Sequence, residues 1–235
     1  MNISLIIPAY NEEKFIGTCL RAALKNAPRN LEEIIVVNNA STDKTAEVAS
    51  SFPKVRVVYE PKKGLTSARQ RGFKEAKGDL LAYIDADTIM PSHWFDILNR
   101  EFDKDNSIIC LSGPYHYYDY SPPKWQKELI NKSYDVYKLT KVLVIGGNFV
   151  VKRKALEKIG GFDESISFYG EDTDLAVRIN KVGKILFLKE FYMNTSGRRF
   201  LEEGFPKVAT TYALNYFWEV TFKKPLNKKY KDVRN

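Results

Sequence analysis

Asp85 and Asp87 stand two positions apart in YIDADT, directly after the apolar run LLAYI. In an extended chain alternate residues point the same way, so both carboxylates can face one cleft. Such a pair suits a divalent cation whose other ligands are phosphate oxygens and water. It suits a capped turn equally well. A second acidic group, Glu171, Asp172 and Asp174 in YGEDTDLAVRI, opens a helical pattern. Acids in a first helical turn are favoured by the dipole, and a carboxylate at the mouth of an apolar cleft can take a proton from a hydroxyl. His93 and His116 are the only histidines, and neither lies near a cysteine or a Gly-x-Ser-x-Gly turn. Walker-type and G-x-G-x-x-G phosphate loops are absent, and two cysteines with two scattered histidines do not make a zinc site.

These acids need elements to hold them. ISLIIPAY reads as a strand and 12–25 as a helix. EEIIVVN follows as a strand, then a helix over 42–51 opened by NASTD, strand VRVVYE and a helix over 65–76. Strand DLLAYID comes next, and Pro91 opens a helix to about 102. The alternation predicts an α/β fold, a Rossmann-like, doubly wound and mostly parallel sheet flanked by helices. Ligands of such sheets bind beyond the carboxyl ends of the strands, where Asn11, Asn38 and the Asp85–Asp87 segment all fall. In the second half, SIICLSGPYHYYDYSPP reads as a strand entering an aromatic loop. A long helix over 124–141, strand VLVIGGNFVVK, two helices around a glycine-rich loop, a last strand KILFL and a C-terminal helix over 200–222 complete the chain.

With 235 residues, 44% hydrophobic and 28% charged, the chain is an ordinary globular one of a single domain, with a compositional shift near residue 110. The net charge of +8 is concentrated in the tail FKKPLNKKYKDVRN, which argues for a local property and against a nucleic-acid partner. Cys19 and Cys110 lie in apolar contexts and read as free thiols of a reducing cytoplasm. No apolar run reaches transmembrane length, and MNISLIIPAY lacks the basic start of a signal peptide. The expected location is cytoplasmic.

LIIPAYNEE, IIVVNNASTDKT, GLTSARQRGFKEAKGDLLAYIDADT, GGNFVVKRKALEKIGGFDE and GEDTDLAVRI occur in that order. On these five stretches the sequence resembles the family 2 glycosyltransferases, an inverting group with the GT-A fold, from about residue 3 to residue 190. The resemblance implies a GT-A domain over 1–200, with a donor half over 1–110 and an acceptor half over 111–200, followed by a helix and basic tail over 201–235. It implies a nucleotide-sugar donor, UDP- or GDP-linked, with Mn²⁺ or Mg²⁺ on the diphosphate. Pro8, Ala9, Tyr10, Glu12 and Asn38 would line the nucleotide pocket, and Arg69 would face the base or phosphates. Asp85 would meet the ribose or sugar, Asp87 would hold the metal, Asp172 would be the general base, and Glu171 and Gly147 would lie on the acceptor side.

A carboxylate base is needed by a hydroxyl acceptor and not by an anionic polyprenyl phosphate. The expected acceptor is therefore a glycan, free or lipid-linked, with a polyprenyl phosphate as the alternative. Asn38 stands where the family usually has an aspartate, which leaves uracil and guanine both open, and no histidine follows His116 to serve the metal. A sugar-nucleotide pyrophosphorylase would want a basic, glycine-rich segment where PAYNEE stands. An inactive binding module would fit the loss of Asp87 or Asp172, and both are present. Arg198 and Arg199 in SGRR suit either a phosphate-facing pair or a solvated loop. The aromatic loop YHYYDY could stack on a sugar or fill a core edge. The segment FPKVATTYALNYFWEVTFKKPLNKKYK fits a packed helix with a frayed tail, or a peripheral foot on an anionic membrane surface.

Overall fold

The computed structural model describes residues 1–166 and 170–222. The N-terminal half alternates β1 (Ile3–Ala9), α1 (Ile16–Lys25), β2 (Leu31–Asn38), α2 (Thr45–Ser50), β3 (Val55–Tyr59), α3 (Leu65–Glu75) and β4 (Leu80–Ile84). Then come β5 (Thr88–Ile89), α4 (Trp94–Lys104), β6 (Ile108–Ser112) and β7 (Tyr115–Tyr117). The remainder holds α5 (Lys124–Ser133), α6 (Val136–Thr140), β8 (Asn148–Lys152), α7 (Arg153–Lys158) and α8 (Glu171–Asn180). It closes with β9 (Lys184–Phe187), β10 (Met193–Thr195), α9 (Arg198–Glu203) and α10 (Phe205–Phe222).

Seven strands form one sheet in the order β3-β2-β1-β4-β8-β6-β9. All its pairings are parallel except the two made by β8, which runs antiparallel to β4 and β6. The sheet therefore runs unbroken through residue 110. Strands covered on both faces read as continuous apolar runs, and all seven residues of β1 are buried. Ile3, Leu5 and Ile7 point into one core with Leu20 of α1 and Trp94 of α4, while Ile6 points into the other with Ala68 of α3 and Leu175 of α8. This alternation is the period-two pleat between two helical layers.

Several expectations are corrected. A second sheet, β5-β10-β7, lies beside the main one. Its strands have two or three residues, too few to show a period, and β10 follows the expected last strand. The long helix over 124–141 breaks into α5 and α6 at Tyr134 and Asp135. VLVIGG is not strand: only Asn148–Lys152 pairs as β8, because the preceding glycines cross under the carboxyl end of β4. The C-terminal helix is two helices parted at Gly204, whose φ of 80° no helix accommodates. Cys19 and Cys110 are buried and free. Among the described residues no helix is long and apolar enough to cross a membrane. The basic segment 223–235 and residues 167–169 lie outside the described residues, so the tail's expected membrane foot does too.

Candidate active site

The carboxyl ends of β1 and β2 are laced together. Asn11 N–H donates to Ser41 Oγ at 3.1 Å, Thr42 N–H to Asn11 Oδ1 at 2.9 Å, and Glu12 N–H to Thr45 Oγ1 at 2.7 Å. Asn39 reaches the next loop, donating to the Lys62 carbonyl and accepting from Gly64 N–H, both at 2.8 Å. This fixes the rim that Pro8 and Ala9 enter from the core. Tyr10 is half-buried there under Lys63, whose Nζ lies 3.8 Å from the ring centre. Asn38 Oδ1 accepts Ser41 N–H at 3.1 Å, a local turn bond.

Asp85 and Asp87 do not extend the strand. β4 ends at Ile84, and the two acids lie in the turn to β5, closed by Thr88 Oγ1 donating to the Asp85 carbonyl at 2.8 Å. They consequently face different partners. Asp85 Oδ2 accepts the Tyr115 hydroxyl at 2.9 Å, and its Oδ1 lies 3.8 Å from Arg69 Nη2. Asp87 Oδ2 lies 3.0 Å from Arg198 Nη2, and Arg198 also grips both oxygens of buried Glu12, at 2.5 and 3.0 Å. Glu12 thus meets a guanidinium 186 positions away.

Arg69, expected to face the base or phosphates, is 1% exposed, on the inner face of α3. Its Nη1 lies 2.5 Å from Glu171 Oε2, and its Nη2 donates to the Gly146 carbonyl at 2.6 Å. The Glu171 contact is an ion pair without hydrogen-bond alignment, since Arg69 Nη1 and Glu171 Oε2 are buried with no hydrogen-bond partner. One guanidinium therefore links the two acidic groups, because α3, the 146–147 turn and the start of α8 converge on it.

Gly147, expected on the acceptor side, lies against Asp85. A Cβ there would stand 2.0 Å from both Asp85 Oδ2 and Tyr115 Oη, so the close approach requires glycine. Asn148 anchors the turn: its Oδ1 accepts Trp94 Nε1–H at 2.9 Å, and its Nδ2 donates to the carbonyls of Phe191 and Gly113 at 2.7 and 3.1 Å. Overpacking typically costs about 1–3 kcal/mol. Gly147→Ala is expected to lose at least that much in urea denaturation while Gly160→Ala, whose Cβ meets nothing within 4 Å, loses less by that route.

Gly170, in the left-handed region at φ 88°, turns the chain into α8 and brings Glu171 and Asp172 to its first turn. Glu171 is buried, and burial pushes its carboxyl up to about 8 despite the pull of Arg69. Asp172 is half-buried, with Oδ1 accepting Thr173 N–H at 2.9 Å. Burial raises it too, against the opposing charge of Arg69. A carboxylate near a cleft whose hold on a proton is raised is a better base than an ordinary one.

Among the described residues no three acidic, histidine or cysteine side chains gather as a complete metal cage. Asp85 and Asp87 still fit a hard divalent cation, which needs one or two carboxylates when phosphate oxygens and water complete its shell. The guanidinium already lying on Asp87 shows that this oxygen is turned toward a cation.

Sequence reasoning missed Lys63 as a wall residue, had Tyr115 only as part of the aromatic loop, and left Arg198 open. Of the aromatic loop, Tyr115, Tyr117 and Tyr120 are half-buried, while His116, Tyr118 and Asp119 are exposed. The loop opens a cavity of about 820 Å³, lined by Tyr117, Tyr118, Tyr120 and Tyr134 with Lys127 and Lys189 at its edge. Tyr115 and Tyr118 join this cavity to the acidic turn, the latter donating to the Asp87 carbonyl at 3.1 Å.

A profile of glycosyl transferase family 2 matches residues 4–160, and one of the N-terminal domain of galactosyltransferase matches residues 130–192. An uncharacterized glycosyltransferase of Rickettsia typhi is 31% identical over 196 residues, which cover 79% of this chain and 60% of that protein. Chondroitin synthase of Pasteurella multocida is 27% identical over 205 residues, 82% of this chain and 20% of the synthase. The chain thus spans three-fifths or less of the length of these relatives. Among solved structures, the fold is similar to a mannosyltransferase of Pyrobaculum calidifontis in complex with GDP-Man and Mn²⁺, with a TM-score of 0.74, 20% identity and coverage of 94% of this chain and 64% of that one. Glucosyl-3-phosphoglycerate synthase of Mycobacterium tuberculosis, in complex with Mn²⁺, UDP-Glc and phosphoglyceric acid, superposes with a TM-score of 0.69, 18% identity and coverage of 94% and 79%. The fold is the GT-A fold expected above.

Proposed function

This chain belongs to glycosyl transferase family 2, and on that premise we propose that it transfers a sugar from a nucleoside-diphosphate sugar to a hydroxyl of a glycan, with inversion. The observation that carries this reading is the pair of acidic groups held by one buried guanidinium, with Asp85 and Glu171 both at Arg69. Pro8, Ala9, Tyr10 and Asn38 form the rim on which a nucleoside would lie. Asp85 would receive the ribose or sugar hydroxyls, and Asp87, beside it, would hold the metal. A bound Mn²⁺ or Mg²⁺ supplies charge stabilisation at the departing diphosphate.

In the reaction the acceptor oxygen bonds to the anomeric carbon from one face as the bond to the diphosphate oxygen breaks on the other. The electron pair leaves on the diphosphate, and the hydroxyl proton passes to the Asp172 carboxylate. Glu171 and Arg69 position that base. The aromatic cavity offers rings for a sugar to stack on, and a relative named for making chondroitin supports a glycan acceptor. The same hydroxyl could be carried on a lipid-linked glycan.

UDP and GDP are the nucleotides to test, with and without Mn²⁺. A ligand bound only by the folded state raises the melting midpoint, worth about 2.7 kcal/mol at a hundred times its Kd. A Mn²⁺-dependent rise with one of them, abolished in Asp87→Ala, is the expected result. No rise with either nucleotide would remove the donor reading.

A further inference from the structure

Glu12, Asp87 and Arg198 form a nearly buried triad with side chains 4%, 11% and 19% exposed. Arg198 comes from the first residue of α9, and the whole breadth of the domain's chain separates it from Glu12. Its approach is braced on two sides. Asp119 of the aromatic loop accepts Ser196 Oγ–H and Gly197 N–H, each at 2.5 Å, and the guanidinium carbon lies 5.0 Å from the Phe15 ring centre. Arg199, the next residue, pairs with Glu203 within α9.

Two carboxylates this close and this dry need a cation between them. We propose that Arg198 is an exchangeable counter-ion: its guanidinium balances Asp87 and Glu12 when no divalent ion is bound, and gives up Asp87 only when a diphosphate arrives to take it. The inference rests on the reading of Asp87 as the metal-holding residue. Its consequence is that metal and donor bind as a coupled pair. A divalent ion alone must compete with a tethered guanidinium. A diphosphate alone must draw that guanidinium away from Asp87, and a metal arriving with it restores a cation there. The guanidinium is a fork that serves carboxylate and phosphate equally well. Glu12 keeps a hold on one end while Asp87 is released.

The test counts free Mn²⁺ by its room-temperature electron paramagnetic resonance signal during titration of the full chain without nucleotide. Arg198→Met is expected to bind Mn²⁺ more tightly than the wild type, by the about 5–150-fold typical of linked sites. UDP or GDP should sharpen Mn²⁺ binding strongly in the wild type and little in the variant. Removing Asp87 as well, in Asp87→Asn/Arg198→Met, should erase the gain. Because Arg198→Met leaves buried Glu12 without its guanidinium, Glu12→Gln/Arg198→Met carries the same comparison if the single variant does not fold. Mn²⁺ affinity without nucleotide that is unchanged, undetectable or weaker once the guanidinium is gone overturns the exchange. The donor reading fails separately: a gain in Mn²⁺ binding, with neither nucleotide binding the wild type, keeps the counter-ion and discards the donor.

Discussion

Asp172→Asn is expected to lower the turnover of sugar transfer by about 10²–10⁴-fold, the usual worth of a positioned general base, while the midpoint shift given by donor nucleotide and Mn²⁺ stays as in the wild type. Asparagine keeps the size of the side chain and its bond from Thr173 N–H, and removes only the capacity to take a proton. Donor binding is untouched in this account because the donor contacts belong to the β1, β2 and β4 ends. The pH profile of the wild type supplies a second check. Burial raises the Asp172 carboxyl above the usual aspartate range, and the base works only when ionised. Activity should therefore rise with pH along a limb displaced upward from an ordinary aspartate, and that limb should be missing from the residual activity of the variant. If Asp172→Asn keeps its rate and Glu171→Gln loses it, the base is Glu171. The structure argues against that outcome, since Glu171 is 7% exposed and ion-paired to Arg69.

Arg69→Met is expected to be the most destabilising single change at the site. Three acids, Asp85, Glu171 and Asp172, act on this one buried cation, and breaking a buried ion pair by removing one partner costs about 3–5 kcal/mol. The loss should depend on pH. Glu171, raised by burial to about 8, holds its proton more tightly in the folded chain than in the unfolded one. A group of that kind contributes stability that is complete below the ordinary glutamate range and is lost as pH rises through about 8. Without Arg69 the acid can still be tolerated by staying protonated, so Arg69→Met should be mild near pH 6 and severe near pH 9 in denaturant titrations. Adding Glu171→Gln should recover part of the high-pH loss, a coupling that a double-mutant cycle reads directly. A loss that is constant between those two pH values would show that Arg69 matters for packing and not for charge.

The N-terminal half was legible because a sheet covered on both faces leaves unbroken apolar runs, and β1, β2 and β4 lie on them. The acidic turn was visible as residues, but its geometry was not. Alternation in an extended strand would aim Asp85 and Asp87 the same way, whereas the chain turns after Ile84 and sends them to different cations. The resemblance put Arg69 toward the base or phosphates, and nothing in TSARQRG itself tells that it is interior. Only the packing of α3 beneath the glycine turn and the α8 start makes it so. Arg198 and Glu12 lie 186 positions apart, and no local pattern records such a pairing. The second sheet escaped for a simpler reason: two or three residues cannot display a period.

Ile84 faces Asn148 across the antiparallel β4–β8 pair. One residue beyond Ile84 is Asp85, and one before Asn148 is Gly147, so the hydrogen-bond register of two core strands sets how the acidic turn meets the glycines that cover Arg69. A slip by one residue would shift one side by about 3.3 Å and reverse every side chain on it. The meeting of Asp85 with the glycine turn is thus fixed in the interior of the sheet, where drift is costly.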